Sequence, residues 1–152
     1  MRRISVLTNF GACVVFTFFQ YIDSATTSFH SILISALDEC DNAGASVINM
    51  SLGDDTYNNQ VRLKVEEKMS KGIILVASAG NDGARDNQYN YPAGYGALSV
   101  SATNEWGYYT DFTTFNTGVD IAAPGEDVLS LSSTLTSSDL YSIKSGTYVV
   151  LF

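Results

Sequence analysis

One carboxamide, set at the end of an apolar run, is the group in this sequence best placed to do chemistry. Asn81 follows the small-residue turn Ser78-Ala79-Gly80 and precedes Asp82-Gly83. A fixed amide N–H can stabilise negative charge as it develops on a carbonyl oxygen. Small neighbours leave room for a substrate. The competing reading is a plain turn residue, because Asn ahead of Asp-Gly favours a turn. The run before it, residues 73–77, is Ile-Ile-Leu-Val-Ala and starts after Gly72. Its continuous apolar character predicts a strand buried on both faces of a parallel sheet. In open α/β sheets ligands bind at the carboxyl ends of the strands, where Asn81 stands.

The other reactive types are sparse. The single histidine, His30, lies in Ser28-Phe29-His30-Ser31 at the start of a helical pattern. A lone histidine with no orienting partner in view is expected to play a surface or capping role. Asp23 has no context that would make it catalytic. Asp82, Asp86, Glu126 and Asp127 form no recognised metal loop, so the residues themselves identify no metal site and no cofactor. Cys13 and Cys40 permit one disulfide and demand none, and their spacing matches no metal motif.

The elements that must position Asn81 alternate in type. Ile32, Leu33, Ala36, Leu37 and Cys40 share a helical face within residues 31–42, and Gly44 suits the cap that follows. Residues 47–51 read as a strand with a tight exit at Leu52-Gly53. A second helix is expected over residues 58–71. Val61, Leu63, Val65 and Met69 form its apolar face, and Arg62, Lys64, Glu66, Glu67 and Lys68 form its wet one. Helix, strand, helix, strand with short links calls for parallel strands. Further strands are expected at 97–102, 119–122 and 128–131, and half of a hairpin at 140–144. Residues 82–95 read as a polar loop, long enough to expect a functional or mobile role. The N-terminal stretch, residues 1–19, reads as a buried strand over 12–18 or as a signal-like segment with Arg2 and Arg3 at its head.

Totals narrow the class. The chain has 152 residues, 45% of them hydrophobic and 16% charged. These values suit one globular domain with a real core. A net charge of -8 argues against nucleic acid and against an anionic membrane as partners.

Three blocks together resemble the subtilisin-like serine protease family. Val47-Ile48-Asn49-Met50-Ser51-Leu52-Gly53 is similar to the family's substrate strand. Ala77-Ser78-Ala79-Gly80-Asn81-Asp82-Gly83 is similar to its oxyanion-hole block. Tyr91-Pro92-Ala93, Phe112 and Asp120-Ile121-Ala122-Ala123-Pro124-Gly125 resemble the segment leading to the nucleophile. One block is weak; three in order are specific. The resemblance spans about residues 31–147. It implies a three-layer α/β fold, a mostly parallel sheet with helices on both faces, and a serine endopeptidase acting on extended polypeptide. Asn81 is then the oxyanion donor. Ser51, Leu52 and Gly53 are the strand edge that pairs with substrate, and Ala79 and Gly80 are the floor of a side-chain pocket. Family habit favours a secreted protein and allows a structural calcium with no ligands assigned here.

The match breaks at the attacking groups. The family needs Asp, His and Ser in one constellation. Tyr148 stands after Gly146-Thr147, where the family places its serine. A phenol has a pKa of about 10 and needs an activating base. No His-Gly-Thr-His type block occurs, and no strand followed by Asp-Gly precedes His30. The expectation is a partial subtilisin-like domain over residues 1–152, truncated at both ends and unable to catalyse alone. A peptide-binding pseudoprotease and a fragment without function are the alternatives.

Overall fold

The computed structural model describes residues 6–9, 12–15, 29–83, 90–131 and 141–149, with the backbone alone for the first two stretches and for residue 131. Its strands are β1 (Val6–Asn9), β2 (Ala12–Val15), β3 (Val47–Met50), β4 (Ile74–Ser78), β5 (Leu98–Thr103), β6 (Ile121–Pro124), β7 (Val128–Leu131) and β8 (Tyr141–Lys144). The helices are α1 (Phe29–Asn42) and α2 (Asn59–Ser70), and Ala93–Tyr95 forms one 3-10 turn.

β1 to β6 form one sheet in sequence order. Strands β2 to β6 run parallel, and β1 joins β2 antiparallel. The sheet is therefore mostly parallel, as the alternating pattern requires. β7 and β8 make a separate antiparallel ribbon, which supplies the expected hairpin. Of the N-terminal readings, the strand at Ala12–Val15 is present; residues 1–5, 10–11 and 16–28, with Asp23 and both arginines, lie outside the described residues, as does Asp86. Among the described residues no helix is long and apolar enough to cross a membrane.

The termini of α2 follow from local chemistry. The Asn58 side-chain oxygen accepts from the backbone N–H groups of Gln60 and Val61, at 2.9 and 3.1 Å. This satisfies two of the donors that a helix start leaves unpaired. At the other end Gly72 adopts φ 83, the left-handed conformation in which glycine carries no Cβ penalty.

The core lies between one sheet face and the two helices. The register Ile48↔Leu75 and Met50↔Ala77 puts these four side chains on one face. They are buried together with Leu33, Leu37 and Cys40 of α1 and with Val61 and Val65 of α2. The α1 face read from the sequence is the one that packs.

Two local expectations fail. Residues 73–77 are not buried on both faces: Ile74 is 56% exposed, whereas Leu75 is 2% exposed. Strand side chains alternate, and the face carrying Ile74 also carries the exposed Leu98 and Ile121. Both described helices cover the opposite face. The wet and apolar faces of α2 also need redrawing. Leu63 and Met69 are exposed, and Lys68 is buried at 2% exposure. Lys68 is tolerated there because its ammonium reaches Asp38, Asp41 and Glu67, at 2.6, 2.7 and 3.3 Å. A buried cation requires such partners.

Candidate substrate cleft and oxyanion site

Three chain segments leave their strands at one edge and are tied together there. Ser51, Leu52 and Gly53 follow β3, Ala79, Gly80 and Asn81 follow β4, and Ser145 to Tyr148 follow β8. The Ser78 hydroxyl donates to the Leu52 carbonyl at 3.2 Å, which joins the first two exits. Ala79 N–H donates to the Val100 carbonyl at 2.9 Å and extends the β4–β5 pairing into the turn. Gly80 then takes φ 109 and swings the chain out, bringing Asn81 to the surface. That backbone conformation favours glycine.

Thr147 connects the second exit to the third. Its hydroxyl accepts from Gly80 N–H at 3.2 Å and donates to Asn81 Oδ1 at 3.0 Å. Its own backbone N–H donates to the same oxygen at 2.9 Å. Two donors on Oδ1 fix the orientation of the carboxamide and leave Nδ2 as its outward donor. Donation and acceptance through one hydroxyl polarise the chain of bonds cooperatively. Thr114 braces the turn from the other side: its N–H donates to the Gly80 carbonyl at 2.9 Å, and its hydroxyl accepts from Asp82 N–H at 3.2 Å.

Tyr148 is therefore the immediate neighbour of the residue that orients Asn81. Its ring folds back over Gly146, and its hydroxyl donates to the Ser145 carbonyl at 3.0 Å. The phenol proton is committed to a backbone oxygen rather than to a base. His30 sits in the first turn of α1, half-buried, with its ring edge-on to Phe29 at 5.5 Å. It hydrogen-bonds to neither Tyr148 nor Asn81.

The structure thus brings Ser51, Leu52, Gly53, Ala79, Gly80, Asn81 and Tyr148 to one edge. The sequence reading used Thr147 only as a marker for position 148 and gave Thr114 and Asn90 no role. Asn90 packs its side chain against Gly53 and Gly80 alike. Nothing local in the sequence announces these contacts, since they join residues far apart in the chain. Among the described residues no three His, Cys, Asp or Glu side chains converge as a metal site.

This parallel sheet, with an amide anchored at its carboxyl edge, defines a class, and sequence comparison gives that class its name. The family model described as "Subtilase family", Peptidase_S8, matches residues 17–148, and the chain belongs to that family. Thermitase of Thermoactinomyces vulgaris is 32% identical over 122 residues, covering 80% of this chain and 43% of thermitase. A thermostable alkaline protease of Halalkalibacterium halodurans is 37% identical over 107 residues, 70% of this chain and 28% of that protein. Among solved structures, the self-cleaved protease domain of PatA superposes with TM-score 0.69 at 28% identity, covering 78% of this chain and 46% of that one. The prenylagaramide maturation protease PagA gives TM-score 0.72 at 24% identity, over 85% of this chain and 47% of that one, and supports the fold. The chain spans less than half the length of each of these relatives.

Proposed function

We propose that these residues form the substrate strand and oxyanion donor of a subtilisin-like serine endopeptidase, and that residues 1–152 are catalytically silent by themselves. The observation that carries this reading is the double hydrogen bond from Thr147 to Asn81 Oδ1. It holds an amide donor beside the position that follows Thr147, where an attacking group belongs in this family. Attack on a peptide carbonyl converts its oxygen to an oxyanion, and Asn81 Nδ2 donates to that oxygen as charge builds. Removing such a donor costs about 10²–10³ in rate, a size measured within this same family. Ser51, Leu52 and Gly53 pair backbone to backbone with an extended peptide, a mode that tolerates many sequences. Ala79 and Gly80 floor the pocket for one side chain.

Silence follows from the residues at the attacking position. Tyr148 has no base bonded to it, and the described histidine lies elsewhere. A peptide-binding pseudoprotease is the second reading, favoured by the intact groove beside an inert phenol. Titration calorimetry of residues 1–152 with an extended oligopeptide tests the groove. Saturable binding that weakens when Gly53 is replaced by valine is expected; no heat beyond dilution would leave only the family relationship standing.

A further inference from the structure

The turn that follows β5 holds aromatic rings in solvent. Asn104 closes it. Its backbone N–H donates to the Tyr108 carbonyl at 2.9 Å, and its carbonyl accepts from Gly107 N–H at 3.1 Å. Its side-chain Oδ1 accepts from the backbone N–H groups of Trp106 and Tyr108, at 3.1 and 3.0 Å. Gly107 takes φ 81, and Tyr109 bridges back to Thr103 in the antiparallel sense. These bonds fix the backbone of the turn without using its rings. Among the described residues Trp106 and Tyr108 are the most exposed large apolar side chains, at 73% and 72%. Tyr109 and Phe115 are exposed too, and their rings tilt against each other with centroids 4.7 Å apart. None of the four joins the core.

Charge around this turn is one-sided. Between Arg85 and Lys144 the sequence has no lysine or arginine. Glu105, next to Trp106, and Asp111, between Tyr109 and Phe115, are exposed carboxylates in that stretch. The lysines of α2 are engaged with Asp38, Asp41 and Glu67. We infer that the aromatic turn is a docking surface for a positively charged peptide segment, whose arginine or lysine side chains lie on the faces of Trp106 and Tyr108 and beside the Glu105 carboxylate. Ring faces attract cations, tryptophan most strongly, and a guanidinium also stacks on them. A nucleic acid or an acidic lipid meets repulsion here. A purely apolar partner would desolvate Glu105 with no cation to pair it. A second copy of the chain would bring the same carboxylates to the interface. The preformed turn loses little backbone freedom on binding. The inference does not depend on the groove at the β3 and β4 exits.

Trp106 is the only tryptophan in the sequence, so tryptophan emission reports on this turn alone. The test titrates residues 1–152 with three dye-labelled peptides of equal length, which alternate alanine with arginine, glutamate or leucine. Emission and peptide anisotropy are read together. The arginine peptide is expected to change the emission saturably and to bind about tenfold tighter than the other two. Its binding should weaken about tenfold on going from low salt to about 0.5 M salt. Trp106→Leu keeps an apolar side chain, removes the ring face, and is expected to cost about fivefold in affinity for the arginine peptide. Glu105→Gln should lower that affinity and its salt dependence together. Both residues are exposed, so neither change disturbs the core. Leucine peptide bound as tightly as arginine peptide overturns the cationic partner. Unchanged affinity in Trp106→Leu overturns the site. No binding of the arginine peptide overturns both. An emission change that tracks the concentration of the chain without any peptide assigns the surface to a second copy and overturns the inference.

Discussion

Asn81 is useful to an incoming carbonyl only if its amide points one way, and Thr147 decides that direction. The threonine is 1% exposed and links Gly80 N–H to Asn81 Oδ1 through one hydroxyl. Thr147→Val keeps the volume and removes the relay. It leaves a backbone N–H without its acceptor and frees the carboxamide to rotate. A loss of about 1–3 kcal/mol is expected in urea denaturation. A Thr147→Val change within a few tenths of a kcal/mol of the parent would show that the backbone bond from residue 147 alone holds the site. Asn81 stands out in the sequence through the three family-like blocks taken in order; its position alone reads equally as a turn residue before Asp82-Gly83. Its orienting partner does not stand out. Thr147 and Asn81 are 66 residues apart, and no local pattern reports a contact of that range.

At the scale of elements, the periodic signals located both helices and the central strands to within one or two residues. One misassignment on α2 lies where a charged side chain has tertiary partners. Lys68 looks like a surface residue by type, yet it is buried between α1 and α2. Burial pushes its pKa down, but the hydrogen bonds it donates to Asp38, Asp41 and Glu67 more than offset this and leave it raised. Lys64 bonds Asp38 and Glu67, and Lys71 bonds Asp41 and Glu67, so three cations and three carboxylates form one network. Lys68→Met retains the apolar stem and removes the charge. The carboxylates stay, partly exposed and facing one another. At neutral pH we expect a loss of about 1–3 kcal/mol, read from thermal or denaturant melts. Unchanged or higher stability would mean that desolvating Lys68 outweighs its bonds.

Acid should act on the same network. Hydrogen bonds from Lys64, Lys71 and Lys68 lower the Glu67 pKa from 4.5 to about 2, and Asp38 and Asp41 are also lowered, first by Lys68. A carboxylate depressed by folding contributes stability above its unfolded pKa. That contribution is lost as pH falls through the folded value. Stability should therefore decline from about pH 4.5 towards about pH 2. Lys68→Met should flatten the decline, because its carboxylates lose the shared cation. An identical acid profile in the two proteins would assign the loss to other groups.

For the whole molecule, the parallel sheet and its family were legible, and the state of its second face was only half so. Apolar type alone made residues 73–77 look doubly buried. Burial also needs a layer to pack on, and the residues themselves do not announce which layer is present. Ile74, Leu98 and Ile121 are 56%, 42% and 54% exposed on one sheet face. Exposed apolar surface of this kind costs about 25 cal/mol per Å² relative to burial. Residues 1–152 in isolation should therefore bind a hydrophobic dye and self-associate, despite the charge of -8. Replacing Ile74, Leu98 and Ile121 together with threonine should reduce both effects. A monodisperse, dye-negative monomer in sedimentation would show that this face is covered in solution.

These scales meet in the proposal made above, that the chain presents a groove and an oxyanion donor with a phenol where the attacking group would stand. A serine-reactive fluorophosphonate probe, applied to purified residues 1–152 and read by intact mass, tests it most directly. The account predicts no adduct at probe concentrations that fully label an active subtilisin-like protease alongside it. A stoichiometric adduct on this polypeptide would contradict it, because an activated nucleophile would then be present.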